Sequence, residues 1–232
     1  MAGRIAYYGN IVTNGLVLNL DAGKKDSYPG SGTTWRDISG NNISGSLVNG
    51  PTFSSANAGS IVLDGSNDYV LTAGFSFIPT IVTPHSGFCW IYVKSYAVGS
   101  IWQYGQTVDN LYATGVGMNA GGNLGWPYNG GGLMYQVSTL QIPLNTWAFV
   151  GIVKTSTTLT YYLNTSVDAK SESGAGTLGS NNPISIGIGW TGLTRTGAYL
   201  NANVASTQIY NRALSSTEVL QNYNALKGRY GL

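Results

Sequence analysis

Apolar and polar residues alternate over short runs along this chain, and clusters of Gly, Asn, Pro and Ser separate one run from the next. That pattern predicts strands joined by turns. Strands are expected at residues 16–20, 60–63, 69–72, 86–93, 99–104, 148–155, 159–163, 184–188 and 204–210. Residues 147–153 are nearly all apolar, which predicts a strand covered on both faces or one with an aromatic outer face. Ser39-Gly40-Asn41-Asn42, Asp64-Gly65-Ser66-Asn67-Asp68, residues 165–168 and the stretch 119–132 read as turns and loops.

Helical periodicity is confined to the end of the chain. Ser215-Ser216-Thr217-Glu218 has the form of a capping box, in which the first Ser and the Glu satisfy each other's backbone amides. Val219, Tyr223 and Leu226 then fall on one stripe, so a helix over 215–227 is expected to dock on the strands. Lys227 and Arg229 suit the negative end of its dipole. Residues 15–232 read as a single domain. Residues 1–14, with Ile5, Tyr7 and Tyr8, read either as an edge strand or as an arm that docks on a neighbouring subunit.

Charge narrows the range of partners. Only 9% of the residues are charged, against about 25% in a typical soluble protein. Solubility therefore falls to Asn, Ser, Thr, Gly and Tyr. The 11 basic and 9 acidic residues give a net charge of +2, and the longest basic run is Lys24-Lys25. Neither nucleic acid nor a membrane surface is an expected partner. The opening residues lack the apolar run of a signal peptide, and no stretch has the length of a membrane span. Cys89 is the sole cysteine and has no disulfide partner in the chain; its apolar neighbours predict a buried, inert thiol.

Several segments, in order, carry a family resemblance. They are Gly15-Leu16-Val17-Leu18-Asn19-Leu20-Asp21-Ala22, Thr34-Trp35-Arg36-Asp37-Ile38-Ser39-Gly40-Asn41, Gly50-Pro51-Thr52-Phe53, residues 60–70, Asn145-Thr146-Trp147, Tyr161-Tyr162-Leu163-Asn164 and Ile209-Tyr210-Asn211-Arg212-Ala213-Leu214-Ser215. Together they resemble the laminin-G-like, concanavalin A-like domains over residues 15–226. The resemblance implies an all-β jelly-roll sandwich of two antiparallel sheets with a short C-terminal helix. The opening 7–12, the strand with Leu20-Asp21-Ala22, residues 27–35 and the closing Asn-Ala-Leu-Lys-Gly-Arg-Tyr-Gly-Leu resemble structural proteins of tailed bacteriophages. From that follows the expectation of a non-catalytic virion protein, a capsid decoration, head-fibre or tail component. It would be oligomeric, assembled in the host cytoplasm, and able to adhere to host-surface glycans. A free-standing lectin or adhesin is the alternative.

The chemistry-bearing residues are few. Glycosidases need two carboxyl groups flanking one bond, and the family's version is Glu, one residue, Asp, two residues, Glu. The two glutamates here, Glu172 and Glu218, lack that neighbourhood, so no catalysis is expected. His85, the only histidine, is read as a satisfied surface or turn residue. Relatives of the laminin-G type often bind Ca²⁺, which implies Asp68 first and Asn67 second as ligands; the competing reading has Asp64 and Asn67 capping their own turn. For sugar or protein contacts the candidates are Trp126, Tyr128 and Asn129 on a Gly-rich stretch, with Tyr104 and Trp190. Filling the core is the competing role for such aromatics.

Overall fold

The computed structural model describes residues 10–76, 78, 80–105, 113–127, 134–173, 176, 178, 182–189 and 199–232. Two antiparallel sheets face each other. One holds β1 (Leu16–Asp21), β4 (Thr52–Ser54), β5 (Ser60–Asp64), β7 (His85–Ser95), β12 (Trp147–Lys154), β13 (Thr158–Leu163), β14 (Ser166–Ser171) and β16 (Asn201–Tyr210). Its order is β14-β13-β12-β7-β16-β5-β4, with β1 on the second half of β16. The other holds β2 (Thr34–Trp35), β3 (Gly45–Val48), β6 (Tyr69–Thr72), β8 (Gly99–Gly105), β9 (Ala113–Met118), β10 (Leu124–Pro127), β11 (Met134–Tyr135) and β15 (Ile184–Ile186). Its order is β11-β10-β9-β8-β15-β6-β3-β2.

All nine expected strands are present, some longer or shorter by a few residues. The stretch read as loop over 119–132 contains β10, and the presumed turn at 165–168 is mostly strand β14. A two-residue connection makes that hairpin: Asn164 takes φ 54°, the left-handed geometry such turns require.

Alternation on the strands builds two apolar layers. The inner faces enclose a core that includes Leu18, Ile61, Ile91, Trp102, Val116 and Ile184. The outer face of the first sheet carries a second cluster containing Phe88, Trp90, Phe149 and Tyr210, which the C-terminal helix α1 (Ser216–Leu226) covers with Val219, Tyr223 and Leu226. β7 and β12 lie between the two layers, which is why their sequences run apolar on both faces. At Gly87 a Cβ would collide with the Trp102 ring, so the sheets approach closely only because no side chain stands there.

The helix begins as its sequence predicts. Ser215 Oγ accepts from the Glu218 amide, Glu218 Oε2 accepts from the Ser215 amide at 2.8 Å, and Arg212 clamps both Glu218 oxygens at 2.6 and 3.0 Å. These bonds, led by that of Arg212, pull the Glu218 carboxyl down to about 2. Ser215→Ala is expected to lower stability by about 1–2 kcal/mol, read as a shifted denaturant midpoint with an unchanged slope. At the other end Arg229 binds Asp21 rather than the helix carbonyls (2.7 Å).

Residues 10–14 form no strand. Val12 is buried, its amide donates to Asn222 Oδ1 and its carbonyl accepts from the Tyr210 hydroxyl. The arm candidates Ile5, Tyr7 and Tyr8 lie outside the described residues.

Candidate functional site

The aromatic candidates that the structure describes point inward. Tyr104 on β8 is fully buried, packs against Phe75 and donates its hydroxyl to the Phe75 carbonyl at 2.9 Å. Trp126 on β10 is also fully buried. Neither offers a ring face to a sugar, because alternation on these strands turns both into the space between the sheets. Tyr128, Asn129 and Trp190 lie outside the described residues.

Trp126 instead belongs to a buried polar relay. Its Nε1–H donates to Thr114 Oγ1 at 3.0 Å, and Thr114 Oγ1 lies 2.6 Å from His85 Nε2. His85 Nδ1 lies 2.7 Å from the Thr83 carbonyl. A carbonyl only accepts, so Nδ1 carries the proton and Nε2 accepts from the Thr114 hydroxyl. His85 therefore sits inside the sandwich as a neutral ring, not in a turn or at the surface. Burial, opposed by the Thr83 bond and aided by the Lys154 charge, pushes its pKa down to about 4.

Lys154 pairs with His85 across β12 and β7 and is itself fully buried. Its ammonium donates to the carbonyls of Thr155 (2.6 Å) and Glu172 (3.1 Å) and stands 6.0 Å from the Trp126 ring centre. Desolvation lowers its pKa, with the Glu172 charge pulling the other way. Glu172 is buried, and its Oε2 accepts from Gln136. The sequence signal for this cluster is faint: a lysine ends the apolar run 147–153 in register with the only histidine.

The calcium candidates form a self-contained turn. Asp64 Oδ1 accepts from the Ser66 and Asn67 amides, and Asp68 Oδ2 accepts from the Asp64 amide at 3.3 Å. Asp68 is buried, and desolvation together with the Asp64 charge raises its pKa. Ca²⁺ takes six to eight oxygens, whereas among the described residues no three His, Cys, Asp or Glu side chains gather at one point. The two carboxylates are engaged by amides of their own turn, as the turn-capping reading expects.

Cys89 is buried, 3.2 Å from Thr207 Oγ1, and burial raises its pKa to about 12. No helix among the described residues is long and apolar enough to cross a membrane.

A second feature lies on the outer face of the first sheet, beside α1. A pocket of about 460 Å³ opens there, lined by Asn19, Asp21, Ile38, Gln208, Ala225 and Leu226 among others. Asn19 and Gln208 face each other across β1 and β16. The sequence reading passed over both, although the alternation Leu18-Asn19-Leu20-Asp21 already marks Asn19 as outward-facing.

The comparisons with known proteins agree with this architecture. The family described as the concanavalin A-like lectin/glucanases superfamily matches residues 64–220. No curated protein matches the chain. Among solved structures, the binding domain of Paraclostridial Mosquitocidal Protein 1 is 20% identical with a TM-score of 0.64, over 92% of this chain and 52% of that one. Domain 4 of an extracellular arabinanase of glycoside hydrolase family 43 from Geobacillus stearothermophilus, solved with arabinotriose, is 14% identical (TM-score 0.66), over 90% of this chain and 98% of that domain. The binding domain of Botulinum Neurotoxin DC, solved with SialylT, is 14% identical (TM-score 0.65), over 93% and 52%. The chain thus spans about half the length of the toxin binding domains it matches. At these identities the likeness is one of fold.

Proposed function

We propose that this chain, which belongs to the concanavalin A-like lectin/glucanases superfamily, is a non-catalytic glycan-binding module. The observation that carries the reading is the employment of its carboxylates. Hydrolysis of a glycosidic bond needs one carboxyl group as acid and a second as nucleophile or base. Here Glu218 is held by Arg212 and the helix cap, Glu172 by Gln136, Asp21 by Arg229, and Asp168 by Ser138 and Thr139. Asp37 accepts from the amides of Asn19 and Ser39, Asp64 from that of Ser66, and Asp68 from that of Asp64. A sandwich of lectin type with these seven carboxylates, of the nine in the chain, tied into structure is suited to holding a saccharide rather than cleaving it. Two structural neighbours, solved in complex with arabinotriose and with SialylT, support the same class of ligand.

The finer reading places the module on a particle. The resemblance of residues 7–12, 27–35 and 224–232 to structural proteins of tailed bacteriophages supports a role as capsid decoration, head fibre or tail component that adheres to host-surface glycans. Oligomerisation through residues 1–9 belongs to this reading.

A glycan array probed with the full chain tests the first proposal, and the bound oligosaccharides are then assayed for new reducing ends. Binding without cleavage is expected; cleavage, or an array without any bound glycan, overturns it. Light scattering on the full chain and on a chain lacking residues 1–9 tests the second. Loss of an oligomer on truncation is expected, and a full-length monomer at every concentration overturns it.

A further inference from the structure

We propose that the pocket between α1 and the paired strands β1 and β16 is a saccharide site, with the carboxamides of Asn19 and Gln208 as its recognition groups. The proposal rests on the glycan-binding reading above and adds where and through which atoms the sugar is held.

The floor of the pocket carries the argument. Asn19 and Gln208 are in direct register across the strand pair, so their side chains emerge side by side on the outer face. They are 6% and 1% exposed. Oδ1 of Asn19 and both Oε1 and Nε2 of Gln208 have no hydrogen-bond partner in the protein. Polar atoms buried this deeply are nearly always paired, and leaving them unpaired destabilises a fold. Three such atoms, on two residues that line one cavity, mark a place where the fold gives up stability for a ligand.

The chemistry of the lining selects the ligand class. A carboxamide both donates and accepts, as a hydroxyl does, so two adjacent amides can hold neighbouring sugar hydroxyls in both senses. Ile38, Ala225 and Leu226 offer apolar surface for the C–H face of a ring. The one ion pair at the floor is closed on itself, because Arg229 Nη1 lies 2.7 and 3.0 Å from the two Asp21 oxygens. Those two charges compensate each other, and Lys24 is the remaining charged side chain of the lining; the two carboxamides of the floor match hydroxyls rather than a charge. The volume, about 460 Å³, falls within the usual range for small-molecule sites.

The test uses the full chain with maltose, lactose and N,N′-diacetylchitobiose at millimolar concentration, followed by saturation-transfer NMR and calorimetry. Gln208→Met removes both orphaned atoms at nearly constant volume and breaks no hydrogen bond within the protein. The expected result is binding weakened about tenfold or more, with a melting temperature that does not fall. Ala225→Trp, which fills the pocket from its helical wall and leaves the floor intact, should abolish binding. Should the first variant fail to fold, the second decides. Saccharide binding unchanged in the folded variants overturns the pocket and leaves the glycan-binding reading standing. An unaltered chain that binds none of the probes and nothing on the array overturns both.

Discussion

Trp90→Ala is expected to cost the fold about 3–5 kcal/mol, the largest loss from any single truncation in the layer beneath the helix. Trp90 is fully buried on the outer face of β7. Its ring stacks on Tyr230 at 4.3 Å and on Tyr223 at 5.6 Å, and tilts against Phe149 at 5.4 Å. Removing it forfeits both the transfer free energy of the indole and the contacts of three rings that cannot all close on the space. For a chain of this length the melting temperature should fall by about 10 °C or more. Trp90→Phe is the control. The indole N–H has no partner, so phenylalanine deletes an unpaired donor and keeps most of the stacking. Its loss should be less than half that of the alanine variant. Equal losses in calorimetric unfolding of the two would mean that stacking contributes little and that the layer is held elsewhere.

Acid should weaken the protein in a window set by one residue. His85 has a pKa of about 4 in the folded chain against 6.5 for an ordinary histidine. Above pH 6.5 the ring is neutral in both states and contributes no slope. Between 6.5 and 4 the unfolded chain takes up a proton that the folded chain refuses, so stability falls with falling pH. Below 4 both states are protonated and the loss is complete, at about 3 kcal/mol. The relay explains the refusal: protonation puts a hydrogen on Nε2 facing the Thr114 hydroxyl, with Lys154 across the strand pair as a second positive charge. Glu218 and Asp168, both near 2 when folded against ordinary values of 4.5 and 3.8, lose their contributions as pH falls from those values towards 2, mostly below the His85 window. The windows are therefore separable. Urea titrations at several pH values should show the slope between 6.5 and 4 vanish in His85→Asn, even though that variant starts from lower stability. A slope that persists there would assign the window to another group.

Much of the sandwich was legible because strand alternation and turn composition are local signals. The nine expected strands, the cap at Ser215 and the stripe of Val219, Tyr223 and Leu226 all follow from residues within a few positions of one another. β10 escaped because Leu124-Gly125-Trp126-Pro127 sits among glycines and carries a proline, both marks of a loop. Only pairing with β9 makes it a strand. β14 escaped because its residues 166–171 are polar and mostly exposed, as suits an edge strand.

The site was far less legible. Composition could supply aromatics and amides as candidates, but whether a side chain reaches solvent depends on what covers it from distant parts of the chain. Trp126 and Tyr104 looked available in sequence and lie between the sheets. His85 looked peripheral and became the centre of a buried relay, because β7 and β12 bring it beside Lys154, 69 positions away. Asn19 and Gln208 carry no motif and meet only through strand register at a separation of 189 positions. Fold class, the helix cap and the presence of just two glutamates are set by local pattern and residue counts, and the linear order of residues suffices for them. Burial, proton location and the floor of the pocket arise from long-range pairing, where the free energy of a polar atom depends on neighbours that chain proximity does not specify.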